Sequence, residues 1–325
     1  MLSAKTTRGR GRRRDSLEVP NAKSSTLRWL AITVTQLTAF LAVVRGGSVT
    51  AAADELVVTQ PSVSSAIAAL GRELGCELFE RAGRGIRLTE AGSAFRPFAT
   101  DVVGLLEVGR QAAREAADVA ARRLRIAAVT TAAESFVPPL MREFASRHPD
   151  IELTLDVGNR EYVFERVLNH LADVAISGKP PADERLVAES LLENHIACIT
   201  SPDDPAAAAG ALGANALAHR TWLLREPGSG TRALGEEFLQ DRSLSSKTLT
   251  LGSNGAIKQA ARAGLGVSLL SRAAVEPELK AGWLGEITLS DGPAPRPWFV
   301  LRSSVGPARA PAASFTEFVR AEAHI

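Results

Sequence analysis

The segment LLREPGSGTRALGEEFL, residues 223–239, carries the residue types of an anion-binding site. A predicted strand ends at Leu224, and a Gly-Ser-Gly turn at residues 228–230 leads into a helix that begins near Thr231. Free backbone N–H groups at a helix N-terminus bind anions, and the neighbouring hydroxyls and Arg232 would add donors. A glycine turn capped by serine or threonine is the structural alternative, and the segment alone does not separate the two.

Two further junctions between a strand and a helix are rich in hydroxyl and amide groups. AVTTAAESF contributes Thr130 and Thr131, and GSNGAIKQ contributes Ser253 and Asn254. Ligands of open α/β sheets bind beyond the carboxyl ends of the strands. We therefore expect the three junctions to meet at one cleft.

Catalytic and metal chemistry find little support in the sequence. Ser229 and His195 are hydrolase residue types, but PGSGT lacks the spacing of a G-x-S-x-G nucleophile elbow. The five histidines show no ligand spacing, and Cys76 and Cys198 are too far apart in sequence to indicate a disulfide framework or a shared metal site. We expect no enzyme activity and no cofactor.

The elements that must position these groups alternate between strands and helices beyond Arg122. Apolar, β-rich runs such as LRIAAVT, IELTLDV and GVSLLS are separated by helical stretches such as EYVFERVLNHL. About 200 residues of this texture predict an α/β domain at residues 122–325 with two lobes and a cleft between them. We expect lobe I at about 122–199 and 297–325, and lobe II at about 200–296.

A different domain precedes it, and its central feature is VVTQPSVSSAIAAL at residues 57–70. Thr59 is placed to cap a helix, and Pro61 lies in its first turn. One face of this helix is apolar (Val63, Ile67, Leu70 and Leu74), and the opposite face carries Pro61, Ser65, Ala68 and Arg72. A face of small residues can approach the major groove of DNA, although a solvated surface has the same pattern.

The order of elements around this helix favours DNA recognition. Short helices precede it, the second of them capped by Ser48 or Thr50, and a hairpin follows that bears Arg81, Arg84 and Arg87. This arrangement predicts a winged helix-turn-helix at residues 34–92, with a helix in the major groove and a wing that contacts phosphates.

Charge is unevenly distributed along the chain. Residues 1–33 carry eight basic and two acidic side chains, a net charge of +6, which leaves −4 for the rest of a chain whose total is +2. Residues 34–92 have a net charge of −1. We expect residues 1–33 to be a disordered extension that either attracts polyanions or results from a misassigned start, with Val34 as an alternative initiator.

A long helix is predicted from Thr89 to about residue 121. Small and apolar residues recur along it at alternating spacings of four and three, a heptad seam that favours dimerisation over packing within one chain. Pro97 predicts a kink near Arg96. The seam consists of Ala91, Phe95, Phe98, Val102, Leu105, Gly109, Ala112, Ala116 and Val119.

The motifs Ser-x-Thr-Ala-Ala, Thr-Gln-Pro-Ser-Val-Ser, Leu-Phe-Glu-Arg and Arg-Leu-Thr-Glu-Ala-Gly resemble the DNA-binding domain of LysR-type transcriptional regulators over more than fifty residues. Gly71 and Ser65 depart from the family's usual glutamate and longer polar residue. The resemblance implies a linker helix at residues 90–121, an effector domain of two α/β lobes like a type 2 periplasmic binding protein, and assembly into dimers and often tetramers. It also implies DNA contacts from Ser48, Thr50, Thr59, Gln60, Pro61, Ser62, Ser64, Ser65, Arg72, Arg81, Arg84 and Arg87.

REPGSGTR and SNGAIKQAARAGLGVSLLS look like the subgroup that regulates Calvin-cycle carboxylase operons and sulfur metabolism. We therefore expect a cytoplasmic regulator that binds double-stranded promoter DNA and a small anionic metabolite, with no membrane segment. A solute-binding protein of a transport system is the alternative for the two lobes. The effector residues expected from the junctions and the resemblance are Thr130, Thr131, Ser177, Gly228, Ser229, Gly230, Thr231, Arg232, Asn254, Leu265 and Gly266.

Overall fold

A computed structural model of the chain describes residues 31–83 and 85–322. The chain divides into two compact units, with the boundary between Arg87 and Leu88. The expected extension therefore lies outside the described residues, apart from residues 31–33. Among the described helices, none is both long enough and apolar enough to span a bilayer.

The N-terminal unit consists of three helices and a hairpin. Its elements are α1 (Val34–Gly46), α2 (Val49–Leu56), α3 (Gln60–Leu74), β1 (Phe79–Ala82) and β2 (Gly85–Leu88). Its core is built mainly from small side chains of the three helices, with Phe40 and Phe79 in ring contact at 5.3 Å. Close helix packing follows from the small residues, since the interior must fill without voids.

The turn between α2 and α3 is tight. Val57 ends α2 in a left-handed conformation with φ of 56°, which is uncommon for a β-branched residue. Its side chain is 90% exposed, so burial does not compensate for the unfavourable backbone. Thr59 then caps α3 as predicted, accepting a hydrogen bond from the backbone N–H of Ser62.

The second unit begins with a long helix that contains a proline. Helix α4 (Glu90–Ala117) is continuous through Pro97, and the kink expected near Arg96 stays a prediction. A 3-10 turn at Val119–Ala121 then leads into the α/β lobes.

The lobes contain the remaining helices and strands of the described residues, besides a 3-10 turn at Ala214–Leu217. These are β3 (Arg123–Val129), α5 (Thr130–Ala133), α6 (Val137–Arg147), β4 (Glu152–Gly158), α7 (Arg160–Leu168), β5 (Val174–Ser177), β6 (Leu186–Asn194), β7 (Ile196–Thr200), α8 (Pro205–Ala208), β8 (Trp222–Arg225), α9 (Gly230–Asp241), β9 (Thr248–Leu251), α10 (Asn254–Arg262), β10 (Ser268–Ser271), α11 (Arg272–Lys280), β11 (Gly285–Ile287), β12 (Arg296–Ser303) and α12 (Ala310–Glu322).

Lobe I is a mixed sheet in the order β4-β3-β5-β12-β6, in which β3, β4 and β5 are parallel. Lobe II holds the antiparallel sheet β10-β7-β11 and the parallel pair β8-β9. We expected residues 196–199 in lobe I, and this is wrong, because β7 pairs with β10 and β11 of lobe II. The chain crosses between the lobes at His195 and again just before Arg296, and Arg296 pairs with Asn194.

A buried ionic network, absent from the sequence prediction, joins α4 to lobe I. Arg309 donates to Glu115 on α4 and to Asp173, and Arg125 donates to Asp173 at 2.8 Å. Burial acts to raise the pKa of Asp173, but hydrogen bonds from the two arginines outweigh it and lower the pKa. His170 contacts Asp101 of α4 at 3.0 Å in the same region.

Candidate functional sites

The faces of α3 are divided as its sequence predicts. Val63 and Leu70 are buried, and Ile67 and Leu74 are half-buried. The opposite face is exposed and consists of Pro61, Ser65, Ala68 and Arg72. The helix therefore presents small side chains and one cation to the outside of the N-terminal unit.

Some of the predicted DNA-contacting hydroxyls already act within the fold. The Ser48 hydroxyl accepts a hydrogen bond from the backbone N–H of Ala51, and the hydroxyls of Thr59 and Ser62 contact each other at 2.8 Å. These hydroxyls fix helix ends, which leaves them less free to read bases. The other predicted hydroxyl and amide groups, Thr50, Gln60, Ser64 and Ser65, are exposed.

The predicted arginines differ in their pairing. Arg72 and Arg81 are exposed and form no ion pair with any described residue. Arg87 of the wing instead contacts Glu80 at 2.8 Å across the hairpin. Arg84 lies outside the described residues. Among the described cations of this unit, Arg72 and Arg81 are thus best placed for phosphates.

A cavity of about 740 Å³, including its open mouth, lies between the two lobes. Strands β3, β4 and β5 of lobe I and β8 and β10 of lobe II all end at it. Of the three junctions predicted to meet at one cleft, those at Thr130 and Ser229 line the cavity, whereas the one at Ser253 and Asn254 does not. Six of the predicted effector residues line the cavity: Thr130, Thr131, Ser177, Ser229, Gly230 and Thr231.

The charged side chains that line the cavity are all basic among the described residues. Among the described residues that line it, four are basic (Arg160, Lys179, Arg225 and Arg296) and none is acidic. Glu226 neutralises Arg225 through two hydrogen bonds of 2.7 and 2.9 Å, and Glu237 pairs with Arg296 at 2.6 Å. Arg160 and Lys179 have no such partner in the described part of the chain, so the cavity carries uncompensated positive charge.

Glu226 remains ionised beside the cavity. Burial acts to raise the pKa of this carboxyl, but hydrogen bonds from Arg225 outweigh that effect, and the pKa lies below its ordinary value. Arg225 is itself only 3% exposed. It therefore contributes directional N–H groups to the cavity more than net charge.

Three polar atoms of the lining are buried and lack a hydrogen-bond partner among the described residues. They are the hydroxyl oxygens of Ser177 and Ser271 and Oδ1 of Asn194. Buried polar groups are almost always satisfied, and an unpaired one costs about 1–3 kcal/mol. Three such atoms around one cavity indicate a site whose polar partners come from a ligand or from ordered water.

Helix N-termini reach the cavity from both lobes. Asn159 caps α7 by accepting from the backbone N–H of Tyr162 at 2.9 Å. Ser229 and Ser271 occupy the N-cap positions of α9 and α11, yet neither side chain makes a capping hydrogen bond. The hydroxyl of Ser229 therefore does not serve the capping role considered as an alternative, and the N-termini of these helices favour negative charge in the cavity.

Several predicted effector residues lie away from the cavity. Arg232 does not line the cavity, because its guanidinium turns to Glu236, the carbonyl of Arg225 and Thr250. Leu265 is exposed on the turn after α10, and Gly266 is packed against the carbonyl of Thr221. Gly228 adjoins Asn159 just outside the lining, and Asn254 is buried behind it.

Sequence reasoning missed part of the lining. Arg160 directly follows Asn159 at the end of β4, which is the same type of junction that identified Thr130, so this signal was present in the sequence. Asn194 and Arg296 lie where the chain crosses between lobes, and that crossing depends on long-range strand pairing. Local sequence patterns carry no information about this long-range pairing.

Comparisons with known proteins agree with this architecture. Residues 34–93 match the family model described as the bacterial regulatory helix-turn-helix protein of the lysR family, and residues 117–324 match the LysR substrate binding domain. The HTH-type transcriptional regulator CfxR of Cupriavidus necator is 36% identical over 275 residues, which cover 84% of this chain and 86% of that protein. The RuBisCO operon transcriptional regulator of Allochromatium vinosum is 36% identical over 294 residues, which cover 90% of this chain and 97% of that protein.

A solved structure of the CcmR regulatory domain of Synechocystis PCC6803, in complex with 2-PG, is also similar. It is 32% identical, with a TM-score of 0.59, and the match covers 62% of this chain and 97% of that one. The helix-turn-helix match favours a regulator over the solute-binding protein considered above. Given both domain matches and relatives of more than 30% identity over most of its length, the chain belongs to the LysR family of transcriptional regulators.

Proposed function

We propose that this regulator binds a small organic anion in the cavity between its lobes, and that the anion controls its action at promoter DNA. The observation that carries the proposal is the lining itself, with four basic and no acidic side chains among the described residues and three unpartnered buried polar atoms. Arg160 and Lys179 have no ion-pair partner among the described residues, so an anionic ligand can neutralise them, and the hydroxyl and amide groups of the lining orient it.

A small carboxylate that also carries a phosphate fits this lining. Arg160 and the N-terminus of α9 lie on opposite walls, with Gly230 and Arg160 adjacent across the cleft. Two anionic groups could thus contact two helix N-termini at once. The similarity to the CcmR domain in complex with 2-PG and to regulators of RuBisCO operons supports the same class of metabolite.

The ligand acts by shifting a conformational equilibrium. A ligand that contacts both lobes binds the closed arrangement more tightly, and this differential affinity sets how far the population moves. We propose that the protein acts in the cytoplasm as an assembly of two or more copies, because paired DNA-binding domains read sites with dyad symmetry. Closure would then alter the spacing or bending of the bound DNA.

A thermal-shift and calorimetry experiment tests the ligand class on the full chain. We expect 2-phosphoglycolate to raise the melting temperature, because a ligand at 100 times its Kd stabilises the native state by about 2.7 kcal/mol. Arg160→Ala should abolish most of this shift, and Lys179→Ala should reduce it. Inorganic phosphate and glycolate, tested separately, show whether both anionic groups are needed.

Arg142→Ala is the matched control, since Arg142 is an exposed arginine of lobe I outside the cavity lining. This variant should retain the full shift. An unchanged melting temperature of the wild-type protein with every phosphorylated carboxylate tried, or an unchanged shift in Arg160→Ala, would contradict the proposal.

A further inference from the structure

Asn254 is a fully buried polar residue that the effector proposal leaves without a role. It is the first residue of α10 in lobe II, with no exposed surface. Its Oδ1 accepts from Nη1 of Arg225 at 2.6 Å, and its Nδ2 donates to Oγ1 of Thr131 at 3.1 Å and to Oε2 of Glu134 at 3.0 Å. Thr131 and Glu134 belong to lobe I, so this one amide joins the two lobes behind the cavity.

The orientation of the amide is fixed by its partners. Arginine only donates hydrogen bonds, so the atom that faces Arg225 must be the oxygen. An ionised glutamate only accepts, so the atom that faces Glu134 must be the nitrogen. Both protons of Nδ2 are therefore used, one on Glu134 and the other on Thr131.

This orientation determines what the Thr131 hydroxyl offers the cavity. Because its oxygen accepts from Asn254, the hydroxyl proton remains available, and no described residue accepts it. The neighbouring Thr130 is in the opposite state, since its hydroxyl donates to the carbonyl of Gly158 at 3.2 Å. Thr131 thus presents a donor and Thr130 an acceptor on the same wall of the cavity.

We propose that Asn254 is a positioning residue with two linked effects: it bridges the lobes, and it makes Thr131 a hydrogen-bond donor to the ligand. The inference rests on the proposed function for its ligand. A ligand that accepts a hydrogen bond from Thr131 therefore binds while Asn254 bridges the two lobes. Ligand binding is thereby coupled to lobe closure. Thr131 donates to an anionic oxygen of the ligand, while Thr130 offers an acceptor to ordered water or to any donor group that the ligand carries.

The first variant is Asn254→Asp, which keeps the acceptor for Arg225 but replaces the donor with a carboxylate that faces Glu134. Aspartate is well tolerated in the first turn of a helix, so the variant should fold. We expect faster hydrogen exchange of residues 130–136 in the ligand-free full chain, measured by mass spectrometry. Affinity for 2-phosphoglycolate should fall at least tenfold.

A second change separates the two effects of Asn254. In the double variant Asn254→Asp/Glu134→Gln, the glutamine amide can donate to the new carboxylate and restore the bridge with reversed polarity. Hydrogen exchange at residues 130–136 should return toward the wild-type rate. Thr131 would then donate its proton to the new carboxylate rather than to the ligand, so most of the loss in affinity should remain.

Thr131→Val distinguishes lost donation from the added negative charge. In the wild-type background it should weaken 2-phosphoglycolate binding, whereas in the double variant it should cause no further loss, because the proton is already engaged. Equal losses in the two backgrounds would overturn the assignment of Thr131 as a donor positioned by Asn254. Asn215→Asp, at an exposed asparagine of lobe II, is the matched control and should behave as wild type in both measurements.

The exchange measurement is made without ligand, so it tests the bridge even if the proposed function fails. Wild-type exchange in Asn254→Asp would overturn the bridge. Absence of binding by the wild-type protein of 2-phosphoglycolate and every other phosphorylated carboxylate tried would instead contradict the proposed function.

Discussion

Asp204 shows how much one residue of lobe II contributes to stability. Its carboxylate accepts two hydrogen bonds of 2.8 Å from Arg220, one of 2.6 Å from Thr200 and one from the backbone N–H of Ala206. Burial acts to raise its pKa, but these donors outweigh burial and lower the pKa to about 2. Such a bidentate, largely buried pair is worth more than an exposed one.

The lowered pKa predicts a loss of stability in acid. The unfolded carboxyl titrates near its ordinary value of 3.8, so the stabilisation of about 2 kcal/mol is present above pH 4 and is lost as the pH falls toward 2. Urea unfolding of the wild-type protein at pH 5 and pH 3 measures this loss. Asp204→Asn should reduce the difference between the two values, and the part that remains comes from carboxyls such as Asp173 and Glu226, whose pKa values are also lowered.

Asp203→Asn provides the comparison, because Asp203 is exposed beside it. This variant should keep the wild-type dependence on pH between 5 and 3. An identical pH dependence in Asp204→Asn and the wild type would show that other carboxylates account for the acid sensitivity.

At the level of single elements, the described arginines of α3 and of the wing differ in whether they form ion pairs. Arg72 of α3 has no ion-pair partner among the described residues, so it can contact a phosphate without breaking an ion pair. We expect Arg72→Ala to weaken binding to promoter DNA and to reduce the slope of log affinity against log salt by about 1. Gel shifts or fluorescence anisotropy over a series of salt concentrations measure both quantities.

Arg142→Ala again serves as the control, with the same change in charge at a site in lobe I. Its salt dependence should equal that of the wild type. An unchanged salt dependence in Arg72→Ala would indicate that Arg72 does not contact a phosphate. The contacts would then come from Arg81 or from residues outside the described part of the chain.

The elements also show where sequence patterns suffice and where they do not. Thr59 and Pro61 define the start of α3, and the buried positions Val63 and Leu70 follow from helical period alone, because these signals are local. The proline signal at Pro97 did not end the helix, since α4 is continuous through that residue. Arg232 was assigned to the cavity by proximity in sequence, but its actual partners come from β8, β9 and its own helix.

At the scale of the whole molecule, α4 exposes an apolar stripe. Phe98, Val102 and Leu106 are 68%, 47% and 51% exposed, and Gly109 and Ala112 continue the exposed surface. Leu105, predicted for the same seam, instead packs against Gly306 of lobe I. Such an apolar surface on a helix favours a second copy of the chain as its partner.

We therefore expect Val102→Asp to convert dimers or larger assemblies into monomers, because a carboxylate in an apolar interface is desolvated without a partner. Light scattering coupled to size-exclusion chromatography measures the mass. The variant should still fold, since the Glu115 network and the His170 contact hold α4 to lobe I from its other side.

Ser93→Asp adds the same charge to an exposed position of α4 outside the seam and should leave the mass unchanged. A monomeric wild-type protein, or a Val102→Asp variant of wild-type mass, would contradict assembly through this helix.

The whole-molecule arrangement also explains why the cavity was only partly foreseen. Junctions such as Thr130 and Ser229 are recognisable because each is a strand end followed by a helix start. Arg296 and Asn194 become neighbours only when two strands far apart in sequence pair with each other. Periodicity and capping contain no information on that pairing, and the pairing of β7 with β10, which places β7 in lobe II, is equally long-range.

The paired crossings at His195 and Arg296 have a mechanical consequence. Residues beside these crossings also line the cavity, so a molecule bound there would lie close to the hinge of the lobe closure proposed above. In a rigid-body rotation, displacement grows with distance from the axis. A shift of a fraction of an ångström in the residues that contact the ligand thus corresponds to a far larger movement at the outer ends of the lobes. In the proposed closure, a metabolite of only a few atoms would therefore suffice to move the outer ends of both lobes.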